Sequence, residues 1–371
     1  MIAPVKRRTV VFAGGGTGGH LFPALAVARA LPGFDSVFLV PEDRGDPDRL
    51  AGEFPCRTLD CPRPDRARWR YPAQLAKAVA AARRSLRDLD AAAVVGLGSY
   101  ASIPASLAAR SLGIPLYLME CNAVPGKATR LLSRFAQGIG LGSGQALSGL
   151  KRRRTCRVTG TPLRSELKAT SRPSDFGLSD QRPTLLVLGG SQGATGLNSV
   201  VLAGLTACVD LDFQVLHCTG REDAGRMRAA YARVGVPTAV IDFVPDVGRL
   251  YAAADLVLCR AGASTVAECA ALGLPAVFVP YPWHRDRQQE RNALETVVAG
   301  AARLIPQEEL DVLAFRRIVE EILLDRSKLR EMAECAGRIA RPAAAQEMAA
   351  HLIESLGEAV SEPHWMAELG G

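Results

Sequence analysis

An apolar run, Thr9–Gly19, passes straight into glycines and stops at His20, and Thr184–Gly193 repeats the pattern half a chain later. Strand, glycine turn, helix start is how an α/β domain cradles a phosphate. Backbone N–H groups point outward, the helix dipole favours negative charge, and glycine admits the ligand closely. His20 stands at the exit of the first turn, where a helix N-terminus presents its imidazole to a bound ligand. There it suits taking a proton from an attacking hydroxyl or hydrogen-bonding a phosphate; a helix-start histidine with a structural hydrogen bond is the plainer alternative. The second half offers three ligand-facing turns: Gly189–Gly193 with Ser191, Arg260–Thr265 with Glu268 one turn into the helix, and Pro280–Asn292 with Gln288 and Gln289. All follow expected parallel strands at their carboxyl ends, where open α/β sheets bind ligands. The amides of Ala263–Thr265 suit a diphosphate, each dipole interaction contributing about 0.3–1 kcal/mol. Glu268 suits a ribose, or it is an ordinary solvated helix carboxylate.

Gly14, Gly16 and Gly19 satisfy G-x-G-x-x-G, and Glu42 or Asp43 follows the next strand, so a nicotinamide-dependent oxidoreductase is a rival reading. The extra glycine and threonine, which open the loop, and the placement of His20 count against it. Asp88-Leu89-Asp90 and Asp210-Leu211-Asp212 lie away from the glycine turns, so neither a metal clamp nor any cofactor is expected. No Ser-His-Asp or Cys-His arrangement is suggested.

The elements that must hold these residues are strands alternating with crossover helices. Strands are expected at Val10–Ala13, Ser36–Val40, Ala93–Leu97, Leu116–Met119 and Gly138–Leu141, then at Leu185–Leu188, Phe213–Cys218, Ala239–Asp242, Leu256–Cys259 and Ala276–Val279. Helices are expected at Pro23–Ala30, Pro72–Arg87, Ile103–Leu112 and Ala128–Phe135. In the second half they follow at Leu197–Cys208, Arg221–Arg233, Thr265–Ala271, Gln288–Ala299, Leu310–Leu324 and Ala343–Leu356. The pattern predicts an α/β protein of two Rossmann-like domains with parallel sheets facing one ligand across a cleft: residues 1–163, 164–345, and a C-terminal helix and tail, 346–371, returning to the first domain. The Ser-, Pro- and Asp-rich stretch places a hinge near residues 162–180.

A length of 371 residues favours two domains. The apolar content is 48 % with 5 % aromatics and 35 glycines, which fits a Val-, Leu- and Ala-built α/β protein. Neither a secretory signal nor a transmembrane helix is expected. Nine scattered cysteines without a C-x-x-C pair read as reduced thiols in a cytosolic protein. The net charge of +7 is concentrated: Arg63–Arg87 carries eight basic residues against Asp65 alone, interleaved with Trp69, Tyr71 and Leu75. Such a stretch suits an anionic membrane surface, with a solvated helix packing its apolar side inward as the alternative. No recognition motif for nucleic acid accompanies it.

Taken together, GGGTGGHLFPALA (Gly14–Ala26), GLGSYASIP (Gly96–Pro104), GTPLR (Gly160–Arg164), GGSQGA (Gly189–Ala194), CRAGASTVAE (Cys259–Glu268), GLPAVFVPYP (Gly273–Pro282) and DRQQERNA (Asp286–Ala293) resemble the MurG family, over about Val10 to Ala350. These are GT-B glycosyltransferases that move GlcNAc from UDP-GlcNAc to the C4 hydroxyl of lipid I, giving lipid II with inversion. The resemblance implies donor contacts from Thr17, Gly18, Gly19, Asn122, Arg164, Ser191, Val244, Ala263, Ser264, Thr265, Val266, Ala267, Glu268 and Gln289, with Gln288 sharing the last role. His20 becomes the leading general base, with Glu268 as the second candidate for the catalytic centre. Arg66, Arg68, Trp69, Arg70, Tyr71 and Leu75 become membrane-facing candidates, placing the protein peripherally on the cytoplasmic face of the cell membrane. Lipid I, an undecaprenyl-diphosphate-linked MurNAc-pentapeptide, becomes the acceptor, and cell-wall synthesis proteins become candidate partners. Two departures stand out: Met119-Glu120-Cys121-Asn122 where the family commonly shows H-E-Q-N, and Thr161 where it shows Asn. Another GT-B enzyme, such as a diacylglycerol glucosyltransferase or a UDP-GlcNAc 2-epimerase, and a non-catalytic nucleotide sensor remain rivals.

Overall fold

A computed structural model describes residues 7–15, 18–42, 53–63, 69–151, 155–189, 194–244, 246–283 and 286–357. The chain divides into two compact units, residues 1–163 with 342–371, and residues 164–341.

In the first unit, seven strands among the described residues form one parallel sheet: β1 (Arg8–Ala13), β2 (Phe34–Pro41), β3 (Cys56–Leu59), β4 (Ala91–Gly96), β5 (Leu116–Glu120), β6 (Gly138–Leu141) and β7 (Cys156–Val158). Their order is β3-β2-β1-β4-β5-β6-β7. The order reverses between β1 and β4, and that switch point opens a crevice at the strands' carboxyl ends. Strand periodicity explains the double covering. Val11 and Ala13 point to the face that holds Leu86, Ala105 and Leu132, while Val10 and Phe12 point to the other, against Leu21, Leu25, Met348 and Leu352. Side chains fully buried in this way contribute about 1.5–3 kcal/mol each.

The closing helix, Ala344–Leu356, belongs to this first unit and lies against β5 and β6. Gly138 and Gly140 make the approach possible, since a Cβ on either would collide with Ser355 or Met348. Tyr117 Oη and His351 Nδ1 share a buried hydrogen bond of 2.8 Å, and Arg157 pairs with Glu354 at 2.8 Å.

The second unit repeats the plan. Its strands β8 (Thr184–Leu188), β9 (Gln214–Cys218), β10 (Thr238–Ile241), β11 (Leu256–Cys259), β12 (Ala276–Phe278) and β13 (Ala302–Leu304) are ordered β10-β9-β8-β11-β12-β13. The switch point therefore falls between β8 and β11, where β11 runs into the Arg260–Thr265 turn. Leu185 and Val187 pack beneath helices Thr195–Leu205 and Val312–Ile318.

Two elements differ from the sequence expectation in ways that matter here. The first helix begins at Gly18 instead of Pro23, so Pro23 lies inside it and His20 sits in its first turn. The stretch expected as a hinge near 162–180 is folded onto the second unit: Ser179 N donates to Gln214 Oε1 at 2.8 Å, Gln214 Nε2 donates back to Ser179 O at 2.6 Å, and Arg249 lies over the Phe176 ring. The changeover itself falls at Leu163–Arg164. All nine cysteines are free thiols.

Candidate active site

In the first unit, the turn after β1 runs through the left-handed region at Gly14 (φ 115°) and Gly15 (φ 84°). Gly14 also meets the turn after β4, where a Cβ would lie 3.1 Å from the Gly98 carbonyl oxygen and 3.2 Å from Ser102 Cβ. Only glycine satisfies both the conformation and the approach. Gly18 and Gly19 open the helix and His20 follows. A Cβ on Gly98 would lie 3.8 Å from His20 Nε2 and 3.6 Å from Thr129 Oγ1, so the imidazole and the Thr129 hydroxyl both border the Gly98 backbone. Next to Gly98, Ser99 holds φ 59° and ψ 169°, a conformation that costs a non-glycine residue about 1–3 kcal/mol and often marks functional turns.

Thr129 leads to Glu120, a buried carboxylate at the end of β5. Glu120 Oε1 accepts from Asn122 N (3.1 Å) and Asn122 Nδ2 (3.2 Å), and Oε2 accepts from Gly126 N (2.9 Å) and Thr129 Oγ1 (2.7 Å). All four of these donors are neutral groups. Burial holds the His20 imidazole below its ordinary value, and the Glu120 carboxylate pulls it partway back. The helix N-terminus acts in the same direction as burial. His20 is therefore neutral near pH 7. Asn122, expected as a donor contact, is in part a clamp on Glu120. Burial, reinforced by Glu120, keeps the neighbouring Cys121 as a protonated thiol. Thr161, standing where the family shows Asn, donates to the Cys121 carbonyl at 3.4 Å.

The second unit collects a different set. Helix Ala263–Ala271 starts after Gly262, whose missing side chain offers no cap to the amides of Ala263, Ser264 and Thr265. One and a half turns along, Glu268 is only 2 % exposed. Arg164 Nε donates to its Oε1 at 2.7 Å and Tyr251 Oη donates to its Oε2 at 2.9 Å. Burial and the Glu268 charge push the Tyr251 phenol well up, so it stays a donor. Of the two candidates for the catalytic centre, Glu268 is thus built as a fixed acceptor, whereas His20 has proton capacity. Val266 and Ala267 continue the helix, the former buried and the latter half-buried.

Gln288 and Gln289 open helix Gln288–Val298. Gln289 Oε1 accepts from Tyr281 N at 2.8 Å, and Asn292 Nδ2 ties the helix to the Ala261 carbonyl at 3.1 Å. Gln288 N donates to Asp286 Oδ1 at 3.3 Å. Val244 is half-buried after Phe243, and the Arg221 guanidinium covers the Phe243 ring at 4.9 Å.

Thr17, Ser191, Arg66 and Arg68 lie outside the described residues. Trp69 is 77 % exposed with the Arg70 guanidinium 4.4 Å over its ring, while Tyr71 and Leu75 are half-buried and Leu75 leans on the core. Among the described residues, no cluster of three or more His, Cys, Asp or Glu is placed to hold a metal ion, and no helix is long and apolar enough to cross a membrane. Sequence reasoning passes over Glu120, Thr129 and Tyr251. An acid at a strand's carboxyl end was the available signal for Glu120; Tyr251 carries none, because it meets Glu268 only through the fold.

Residues 10–141 match the glycosyltransferase family 28 N-terminal domain and residues 184–351 its C-terminal domain. The UDP-N-acetylglucosamine–N-acetylmuramyl-(pentapeptide) pyrophosphoryl-undecaprenol N-acetylglucosamine transferase of Acidithiobacillus ferrooxidans is 40 % identical, over 94 % of this chain and 98 % of its own. The Synechococcus elongatus transferase of the same name is 38 % identical over 95 % and 99 %. Among solved structures, Acinetobacter baumannii MurG superposes with a TM-score of 0.74 at 31 % identity, covering 94 % of this chain and 99 % of its own. UDP-GlcNAc 2-epimerase from Neisseria meningitidis shares the fold at a TM-score of 0.67 and 17 % identity, over 94 % and 100 %. With two parallel-sheet α/β units of the GT-B class, the chain belongs to glycosyltransferase family 28 and, within it, to the MurG family of N-acetylglucosamine transferases.

Proposed function

We propose that this chain transfers N-acetylglucosamine from UDP-GlcNAc to the C4 hydroxyl of the MurNAc unit of lipid I, giving lipid II with inversion at the anomeric carbon. The observation that carries the reading is Glu268, fixed by Arg164 and Tyr251 beside an uncapped helix start. A buried acceptor next to a helix N-terminus whose cap residue is glycine fits a ribose joined to a diphosphate. The names of the 38–40 % identical relatives supply the acceptor.

In this reading Val244 borders the uracil, Glu268 takes the ribose hydroxyls, and the amides of Ala263–Thr265 take the diphosphate. Arg164 and Ser191 add hydrogen bonds, and Gln289 with Gln288 orients the sugar. Thr17, Gly18, Gly19 and Asn122 line the glycine-turn side. The acceptor's C4 oxygen forms its bond to the anomeric carbon as that carbon's bond to the β-phosphate oxygen breaks. UDP leaves with the electron pair, and the hydroxyl proton passes to His20. The Glu120 carboxylate steadies the imidazolium formed. Fixed donors around the leaving diphosphate contribute on the order of 3 kcal/mol per well-placed group.

Trp69 and Arg70 pair an exposed indole with a cation, a combination favoured at headgroup depth. That pair supports a peripheral position on the cytoplasmic face of the membrane, beside an undecaprenyl-linked acceptor, with cell-wall synthesis proteins as candidate partners. The test is transfer of labelled GlcNAc from UDP-GlcNAc to a short-chain lipid I analogue. A disaccharide product bearing the label is expected; UDP-GlcNAc binding without any product on several such acceptors would contradict the acceptor.

A further inference from the structure

Arg260 follows β11 and opens the turn that leads to Ala263. Its half-buried guanidinium reaches away from that turn. Nη1 donates to the Val279 carbonyl at 3.1 Å and to the Pro280 carbonyl at 3.0 Å, and Nη2 donates to Gln307 Oε1 at 2.6 Å. The Tyr281 ring lies 5.8 Å from its carbon centre. Every one of these partners is neutral. Elsewhere in the second unit the arginines that cross-link elements are neutralised: Arg164 by Glu268, Arg226 by Asp223, Arg303 by Glu321, and Arg316 by Asp210 and Glu320. Arg260 is paired with no carboxylate among the described residues.

A partly desolvated charge without a counter-ion is costly, and folds normally neutralise it. Here the cost is accepted at a specific place. The carbonyls that hold the guanidinium, those of Val279 and Pro280, immediately follow β12 at the carboxyl edge of the sheet. Gln307, its third partner, packs on Gly196, where a Cβ would lie 3.1 Å from Gln307 Nε2. Gly196 is the second residue of helix Thr195–Leu205. The cation is thereby anchored among the segments that follow β11 and β12 and the start of helix Thr195–Leu205, at the carboxyl ends of the strands.

We infer that Arg260 is a positioning and electrostatic residue of the donor half: it ties the turns after β11 and β12 together, and its unneutralised charge is matched by the diphosphate of a nucleoside-diphosphate ligand. This rests on the reading of the second unit as the donor half. The charge of Arg164 is spent on Glu268, so Arg260 supplies the standing positive field that favours a bound diphosphate over a bare nucleoside. As UDP departs with an added negative charge, the same field acts on the leaving group.

Gln307→Glu separates charge from scaffold. The change is nearly isosteric and keeps an acceptor opposite Nη2, but gives the guanidinium the carboxylate it lacks. Titration calorimetry would compare uridine and UDP on the wild type, Gln307→Glu, Arg260→Gln and Arg260→Lys, with thermal unfolding of each. Gln307→Glu is expected to weaken UDP at least tenfold, leave uridine within about twofold, and leave the melting temperature unchanged or raised. Arg260→Gln should also lose UDP selectively, and Arg260→Lys, which keeps the charge, should recover most of the loss. Equal weakening of uridine and UDP would make Arg260 a scaffold alone, and unchanged UDP affinity in Gln307→Glu would remove its electrostatic role; either overturns the inference. A wild type that binds neither uridine nor UDP overturns the donor reading itself, and this inference with it.

Discussion

The two units are built on the same strand order and the same glycine-turn device, yet their ligand edges carry opposite electrostatics. Around the switch point of the first, a carboxylate is held by neutral donors: Glu120 accepts from Asn122, Gly126 and Thr129, beside a desolvated, neutral His20. Around that of the second, the carboxylate is neutralised by Arg164, and a further cation, Arg260, is held by neutral acceptors. On the proposed reading, the first edge receives a proton and steadies the resulting imidazolium, and the second receives negative charge. Transfer of a sugar from a nucleoside diphosphate to a hydroxyl needs both, and the shared topology supplies neither by itself. Charge placement within the turns does.

The most severe way to break this contrast is His20→Ala. Loss of the base is expected to lower kcat by about 10²–10⁴ with little change in KM for UDP-GlcNAc, and steady-state kinetics would read both. A fall below tenfold would leave His20 a positioning role at most. Next, Glu268→Ala should raise KM for UDP-GlcNAc steeply. It also strands Arg164 and Tyr251, at a cost of about 3–5 kcal/mol to the fold, measurable by denaturant unfolding. Glu268→Gln, which keeps acceptor capacity for Tyr251, should recover part of that stability. An unchanged KM in Glu268→Ala would take Glu268 out of the donor site.

A second histidine sharpens the comparison. His217 is fully buried with both ring nitrogens committed, Nδ1 to Tyr231 Oη at 2.6 Å and Nε2 to Asn198 Oδ1 at 3.0 Å. Asn198 Nδ2 donates onward to Asp223 and to the Thr219 carbonyl, so Asn198 Oδ1 is the acceptor and His217 donates from Nε2. Burial lowers its pKa to about 3. Because the folded value is depressed below the unfolded 6.5, the stabilisation is complete above pH 6.5 and is lost progressively as pH falls from there toward 3. The slope is about 1.4 kcal/mol per pH unit, so roughly 2 kcal/mol should disappear between pH 6.5 and 5, seen in urea unfolding of the wild type. In His217→Phe that part of the pH dependence should flatten. His20 has a depressed value for the same reason, but it borders a turn instead of a closed network, so its protonation is read in rate.

The smallest effect expected is that of Glu120→Gln. Removing the negative charge lowers the His20 pKa further, so the acidic limb of the kcat profile should move to lower pH. The rate at neutral pH should fall by about tenfold, as the imidazolium loses its counter-charge. A limb that moves upward, or does not move, would separate Glu120 from His20.

Much of this arrangement was legible in the chain. Helix Ile103–Leu112 and strands Gly138–Leu141 and Leu256–Cys259 lie where the apolar pattern puts them, because apolar runs bounded by glycine, proline or charge leave little choice. The short edge strands Cys56–Leu59, Cys156–Val158 and Ala302–Leu304 were not legible. At three or four residues each, with an exposed arginine in every one, they resemble loops until a neighbour pairs with them. The helix Arg326–Ile339 hides its three fully buried residues among charges. At the site, the glycine turns, His20 and Glu268 announced themselves through residue type at a strand's end. Their partners did not. Arg164 and Glu268 are 104 residues apart, and whether Glu268 is solvated or clamped is decided by that contact. Arg260 is visible in its motif, but its lack of a counter-ion is a property of three other segments.

The most direct test of the division between the two edges is UDP binding by the His20→Ala protein, measured alongside its transfer rate. If the first unit handles the proton and the second holds the donor, UDP affinity stays within about twofold of wild type while transfer collapses by the factor given above. A variant that loses UDP affinity in step with its rate would contradict the account, because His20 would then belong to donor binding.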